Sequence, residues 1–124
     1  MLSFSFYPQA GEPIIIDVSE VHYEKLAHAG LGHIVRSASY EIIVEEDKYE
    51  IEAIKLNFYN RRSILNLLES ERHNELKALF NDAKDSEDIF TIPGNVERLI
   101  YVKLLTELYE RIKDETCAFF SYEY

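Results

Sequence analysis

The strongest constraint on the fold is an alternation of apolar and polar residues between positions 40 and 58. A period of two residues is that of a β-strand with one buried face. The apolar positions are Tyr40, Ile42 and Val44 on a first arm and Tyr49, Ile51 and Ala53 on a second. The polar segment Glu45-Glu46-Asp47-Lys48 separates the arms, so the pattern predicts an antiparallel hairpin. Ile54, Leu56 and Phe58 continue the alternation out of step, which indicates a bulge or a strand buried on both faces.

Two other parts of the chain are predicted to be strands. Leu2, Phe4 and Phe6 alternate, and after Pro8 and Gly11 comes the run at 14–16. The tail at 117–124 reads as a closing strand.

The remaining segments follow a helical period. Asp17 can cap a helix that ends at Gly30, with Glu20 as its capping-box partner. Residues 64–80 form one long helix or two helices that meet near Ser70, and the acidic stretch 81–88 is predicted to be a loop. Asn95 is the expected cap of a last helix, whose apolar stripe consists of Val96, Leu99, Ile100, Leu104, Leu105, Leu108 and Ile112.

These segments predict an α+β fold, with a central hairpin in an antiparallel sheet packed against about three helices. Residues 1–124 are long enough for a single domain, and 47% hydrophobic residues supply its core. The lone Cys117, without a signal peptide or a membrane span, favours a cytoplasmic protein.

The net charge limits the choice of partner. Thirteen basic residues against 23 acidic ones give a formal charge of −10. Such a charge repels phosphate backbones and anionic lipids, so nucleic acid and membranes are poor candidates and a basic protein is the better one.

Catalytic and ligand-binding motifs do not stand out. Gly30 and Gly32 follow a predicted helix instead of opening one, so a helix end explains them better than a phosphate loop does. The four histidines match no metal-ligand spacing and are expected at solvated or helix-end positions, and Cys117 lies in an apolar setting that makes a thiol inert. Arg61-Arg62 is expected to cover the surface with its side-chain stems. We expect no cofactor, no metal and no catalytic residue.

The acidic residues are concentrated in two places. Positions 41–52 hold six acids and one lysine, a formal charge of −5. Tyrosines interleave with them, and tyrosine is common at specific interfaces. The predicted partner-binding residues are Tyr40, Glu41, Glu45, Glu46, Asp47, Tyr49, Glu50 and Glu52 on the hairpin, and Asp82, Asp85, Glu87 and Asp88 in the second cluster.

In composition and general build the chain resembles the immunity proteins with which bacteria neutralise nuclease toxins, mainly through residues 41–52 and 82–88. The resemblance implies an inhibitor that masks the basic active or substrate-binding surface of a cognate toxin. Two alternatives stay open. One is a small enzyme or ligand-binding domain with a pocket lined by Tyr and Phe and His33 or His73 as acid or base. The other is a structural or regulatory subunit without a ligand.

Overall fold

The last strand of the chain occupies the middle of the sheet. The computed structural model describes residues 2–34, 36–85 and 92–123. Its elements are β1 (Leu2–Pro8), β2 (Ile14–Val18), α1 (Glu20–His28), α2 (Leu31–Ile34), β3 (Ala38–Val44), β4 (Asp47–Lys55), α3 (Phe58–Asp85), α4 (Asn95–Lys113) and β5 (Cys117–Glu123). The strand order is β2-β1-β5-β4-β3, with every neighbouring pair antiparallel. The predicted α+β class and antiparallel sheet are confirmed, but the hairpin lies at one edge because β5 inserts between β1 and β4.

The core lies between one face of the sheet and the helices. Phe6 and Ile54 each pair with Phe120, so the three side chains share a face, because directly opposed residues of antiparallel strands point the same way. Leu26 of α1, Ile64 and Leu68 of α3, and Leu105 and Leu108 of α4 are buried in the same cluster. All the described helices with buried residues therefore contribute to one apolar layer.

Arg61 ties the centre of the sheet to the helices. Its guanidinium donates hydrogen bonds to four backbone carbonyls, those of Leu56, Ile112, Asp114 and Cys117. These carbonyls lie just after β4, at the end of α4 and just beyond it, and at the start of β5. The expectation that Arg61 only covers the surface is wrong, because a planar group with five donors can satisfy carbonyls that helix and strand ends leave without partners.

Several predicted boundaries need correction. Ser19, not Asp17, caps α1: its hydroxyl accepts the backbone N–H of His22 at 3.3 Å, whereas Asp17 lies within β2. Phe58 is the first residue of α3 rather than a strand residue, since Asn57 accepts the N–H of Asn60 at 2.8 Å and so starts the helix. The choice between one helix and two is resolved as one, and α3 continues through Asp85, so residues 81–85 are helical and not a loop.

The last helix is rotated relative to its predicted stripe. Gly94, in a left-handed conformation with φ of 85°, precedes α4, and Asn95 is its buried first residue instead of its cap. Tyr101 is fully buried, while Val96 and Ile100 are half exposed. The predicted apolar stripe was wrong in the first turns of α4, because it included only aliphatic residues and so omitted Tyr101.

The alternation in β4 changes phase without a bulge. Its register with β3 is continuous, and Ala53 and Ile54 are both 1% exposed. Of the two possibilities, a strand buried on both faces is confirmed. The irregularity of the sheet lies instead between β1 and β5, at Tyr7 and Pro8.

Candidate functional site

The β3–β4 hairpin extends beyond the rest of the sheet. β4 pairs with β5 only at Ile54 and Lys55. Its preceding seven residues, Asp47–Ala53, pair with β3 alone among the described strands. The β3–β4 hairpin, which carries the acidic segment, is therefore a two-stranded projection with two faces, and it is joined to the rest of the sheet at one end.

One face of the hairpin is acidic. Glu41 lies directly opposite Glu50, so the two side chains share this face, and Glu52 lies two pairs further on, opposite Ser39 and on the same face. Lys48 is the lysine of the segment, and its Nζ lies 3.5 Å from Glu41 Oε1 in an exposed ion pair. An exposed pair of this kind contributes little stability, so it does not offset the repulsion between the glutamates.

The turn of the hairpin consists of two glutamates in a left-handed conformation. Val44 pairs with Asp47, which leaves Glu45 and Glu46 as a two-residue turn with φ of 51° and 73°. Such a turn favours Asn-Gly, since a Cβ in the left-handed region costs about 1 kcal/mol or more. Asp47 and Lys48, predicted as turn residues, already belong to β4.

The opposite face of the hairpin carries the tyrosines. Tyr40 lies opposite Ile51, Tyr49 opposite Ile42, and Asp47 joins this face through its pairing with Val44. The ring of Tyr40 lies 4.8 Å from that of Phe119 in β5. The predicted acids and tyrosines therefore lie on one hairpin but are divided between its faces. One face carries Tyr40, Tyr49 and Asp47, and the other carries Glu41, Glu50 and Glu52.

The second acidic cluster is only partly described. Asp82 lies in α3, and its carboxylate accepts a hydrogen bond from Arg98 Nη1 at 3.2 Å. Its charge is therefore partly compensated within the helical layer, where the same guanidinium also lies 3.2 Å from Glu75 Oε2. The side chain of Asp85, together with Glu87 and Asp88, lies outside the described residues.

His22 was expected at a solvated or helix-end position. It does lie in the first turn of α1, but it is 4% exposed instead of solvated, and its ring centroid lies 5.3 Å from that of Tyr101. Its Nε2 is buried with no hydrogen-bond partner among the described residues, and lies 3.6 Å from Glu97 Oε2. The i, i+4 spacing of His22 and Leu26 places both residues on one face of the helix and could have indicated that His22 is buried. The choice of Val21 for the apolar stripe obscured this pattern.

The buried hydroxyl of Tyr101 belongs to a polar cluster between α3 and α4. It donates a hydrogen bond to Glu71 Oε2 at 3.0 Å. Burial, followed by the negative charges of Glu71 and Glu75, raises the pKa of Tyr101 well above its ordinary value of 10.0. The hydroxyl is therefore held protonated, as a hydrogen-bond donor.

Of the groups considered for catalysis, His33 lies beside aromatic rings at a cavity in the described part of the chain. A cavity of about 180 Å³ is lined by Phe4, Tyr23, Tyr122 and His33, among others, but by no carboxylate. Burial raises the pKa of the Cys117 thiol, which opposes thiolate formation at neutral pH. The residues described contain no group of three or more His, Cys, Asp or Glu that could hold a metal.

Searches against protein-family models, curated proteins and solved structures found no significant match to this chain. Among the described helices, none combines the length and apolar character needed to cross a membrane.

Proposed function

We propose that this chain is an acidic protein-binding inhibitor of the immunity-protein type, made by a bacterium to neutralise a basic, nuclease-type toxin. The β3–β4 hairpin would cover the toxin's active or substrate-binding surface. A surface built to hold phosphate groups is basic, and a carboxylate face can occupy it in place of the nucleic acid.

The observation that carries the proposal is the cross-strand pair of Glu41 and Glu50 on a hairpin that projects from the sheet. Like charges placed directly opposite each other destabilise a sheet. Residues 41–52 hold six acids and one lysine. A cost of this kind is explained if the carboxylates gain a cationic partner on binding.

The two faces of the hairpin suggest a division of roles. The glutamate face attracts the basic partner over a distance and raises the association rate. The half-buried Tyr40 and the half-exposed Tyr49 supply contact area that excludes water once the complex has formed. A partner that contacts both faces of the hairpin could bind every described hairpin residue that the sequence predicts to be partner-binding.

The first test is affinity capture from an extract of the source organism at low ionic strength, followed by elution with increasing NaCl. We expect a basic protein to be retained and then released as salt rises. The captured protein is next purified, and its association with the chain and its nuclease activity are measured. Inhibition of nuclease activity supports the proposal. A partner that is not inhibited, or whose association rate is indifferent to salt, contradicts it.

Two matched variants test the location of the interface. The first replaces Glu41, Glu45, Glu46 and Glu50 with Gln. The second replaces Glu12, Glu24, Glu69 and Glu115, which are exposed elsewhere, with Gln. Four neutralised acids change the formal charge from −10 to −6 in both. We expect the association rate to fall about tenfold or more in the hairpin variant and much less in the control. Equal losses would place the interface outside the hairpin.

A further inference from the structure

A groove at the opposite edge of the sheet from the hairpin has the properties of a second binding site. It lies between the β2–α1 connection and α4 and encloses about 400 Å³. Asp17 and Ser19 line one side, and Glu97, Ile100 and Glu107 line the other. Since β2 and β3 form the two edges of the sheet, this groove is separate from the proposed inhibitory surface.

A buried histidine whose Nε2 makes no hydrogen bond within the described part of the chain forms part of this groove. His22 is among the lining residues although it is 4% exposed, and its buried Nε2 lies 3.6 Å from Oε2 of Glu97, another lining residue. A buried polar atom without a hydrogen bond is costly, so a ligand that supplies one gains affinity there. Ring contact with Tyr101 fixes the imidazole.

The charge of the groove selects the class of ligand. Its lining includes three carboxylates, those of Asp17, Glu97 and Glu107, against one cation, Lys103. This excess of negative charge disfavours an anion. No group of three or more metal-binding side chains was found among the described residues, which disfavours a metal ion. An organic cation with N–H donors fits both the carboxylates and the Nε2 of His22.

We propose that this groove binds an alkylammonium or guanidinium group, which donates hydrogen bonds to His22 Nε2 and to the groove carboxylates. In a neutral imidazole with its proton on Nδ1, Nε2 is an acceptor. Glu97 is 68% exposed in its side chain and so is free to move toward the bound cation. The site does not depend on the proposed inhibitory function.

The experiment is an NMR titration of the ¹⁵N-labelled chain at pH 8, where an ordinary imidazole is neutral. The probes are n-butylammonium and ethylguanidinium chlorides. Tetramethylammonium chloride is the control, because it carries the same charge and the same counterion but has no N–H group. We expect saturable shifts of the amides of Ser19, His22 and Glu97 with the first two salts and none with the third.

Two variants test the contacts. His22→Phe keeps an aromatic ring against Tyr101 but removes Nε2, and Glu97→Gln alters a side chain that is 68% exposed. Each is expected to weaken binding about tenfold, the loss of one charge-assisted hydrogen bond. Glu115→Gln, outside the groove, is the charge-matched control for Glu97→Gln and should bind as the unaltered chain does.

Short blocked peptides with a central Lys or Arg distinguish the source of the cation. Binding about tenfold tighter than the matching free cation assigns the site to a protein side chain, and equal or weaker binding assigns it to a free small molecule. The proposal is overturned if tetramethylammonium produces the same shifts, or if neither variant weakens binding. His22 and Glu97 would then form only an internal ion pair.

Discussion

Glu41 and Glu50 lie directly opposite each other on β3 and β4, with both side chains on the same face of the hairpin. Replacing one of them with lysine turns a repulsive cross-strand pair into an attractive one. We expect Glu50→Lys to raise the free energy of unfolding by about 0.5–1 kcal/mol at low salt, and by less in 0.5 M NaCl. Urea unfolding measures both. Glu52→Lys, opposite Ser39, is the control and should gain less; an equal gain would mean that total charge matters and the register does not.

The turn stores backbone strain at Glu45 and Glu46, whose φ angles are 51° and 73°. Asn and Gly occupy this turn conformation readily. The double variant Glu45→Asn with Glu46→Gly is expected to raise the free energy of unfolding by about 1 kcal/mol or more. The double variant with Gln at both positions removes the same charges but keeps the strain. If it stabilises the fold equally, repulsion and not the backbone conformation is the cause.

Arg61 holds the ends of three elements through four backbone carbonyls. We expect Arg61→Met to lower the free energy of unfolding by about 3 kcal/mol, because it leaves partly buried carbonyls without donors. Its neighbour Arg62 is exposed. Arg62→Met should therefore change stability by less than about 0.5 kcal/mol. Chemical denaturation compares the two, and similar losses would contradict a specific role for Arg61.

Tyr101 makes the fold sensitive to alkali. Its pKa in the folded chain is raised above the unfolded value of 10.0, so the folded state holds the proton more tightly. The stabilisation is fully present below pH 10.0 and is lost as pH rises above it, at up to about 1.4 kcal/mol per pH unit. Urea unfolding between pH 8 and 11 should show this decline, and Tyr101→Phe should reduce its slope. An unchanged slope in the variant would assign the decline to other groups.

The hairpin shows which structural features the alternation of residues can predict and which it cannot. The alternation through Tyr40 and Ile42 is a property of the strand itself, because successive side chains of a strand point to opposite faces. It therefore predicted which hairpin residues share a face. The same pattern could not show that Tyr40 contacts Phe119, since these residues meet only when β5 pairs with β4.

The residues of the candidate sites also divide into those that the sequence indicates and those that depend on packing between elements. Glu41 and Glu50 could be selected from charge and alternation. The spacing of His22 to Leu26 could indicate only that the two residues share a helix face, because the contact of His22 with Tyr101 depends on how α1 packs against α4. Asp82 looked like a free acid until Arg98 of α4 was found beside it.

By itself, the sequence determined the α+β class, the hairpin, the closing strand and the acidic character of residues 41–52, since each follows from spacing and composition within one segment. Only the tertiary structure decided that β5 lies at the centre, that the hairpin projects from one edge and that Arg61 reaches the carbonyl of Cys117. The physical reason is range. Periodicity fixes the orientation of side chains within an element, whereas packing between distant elements fixes which of those side chains meet.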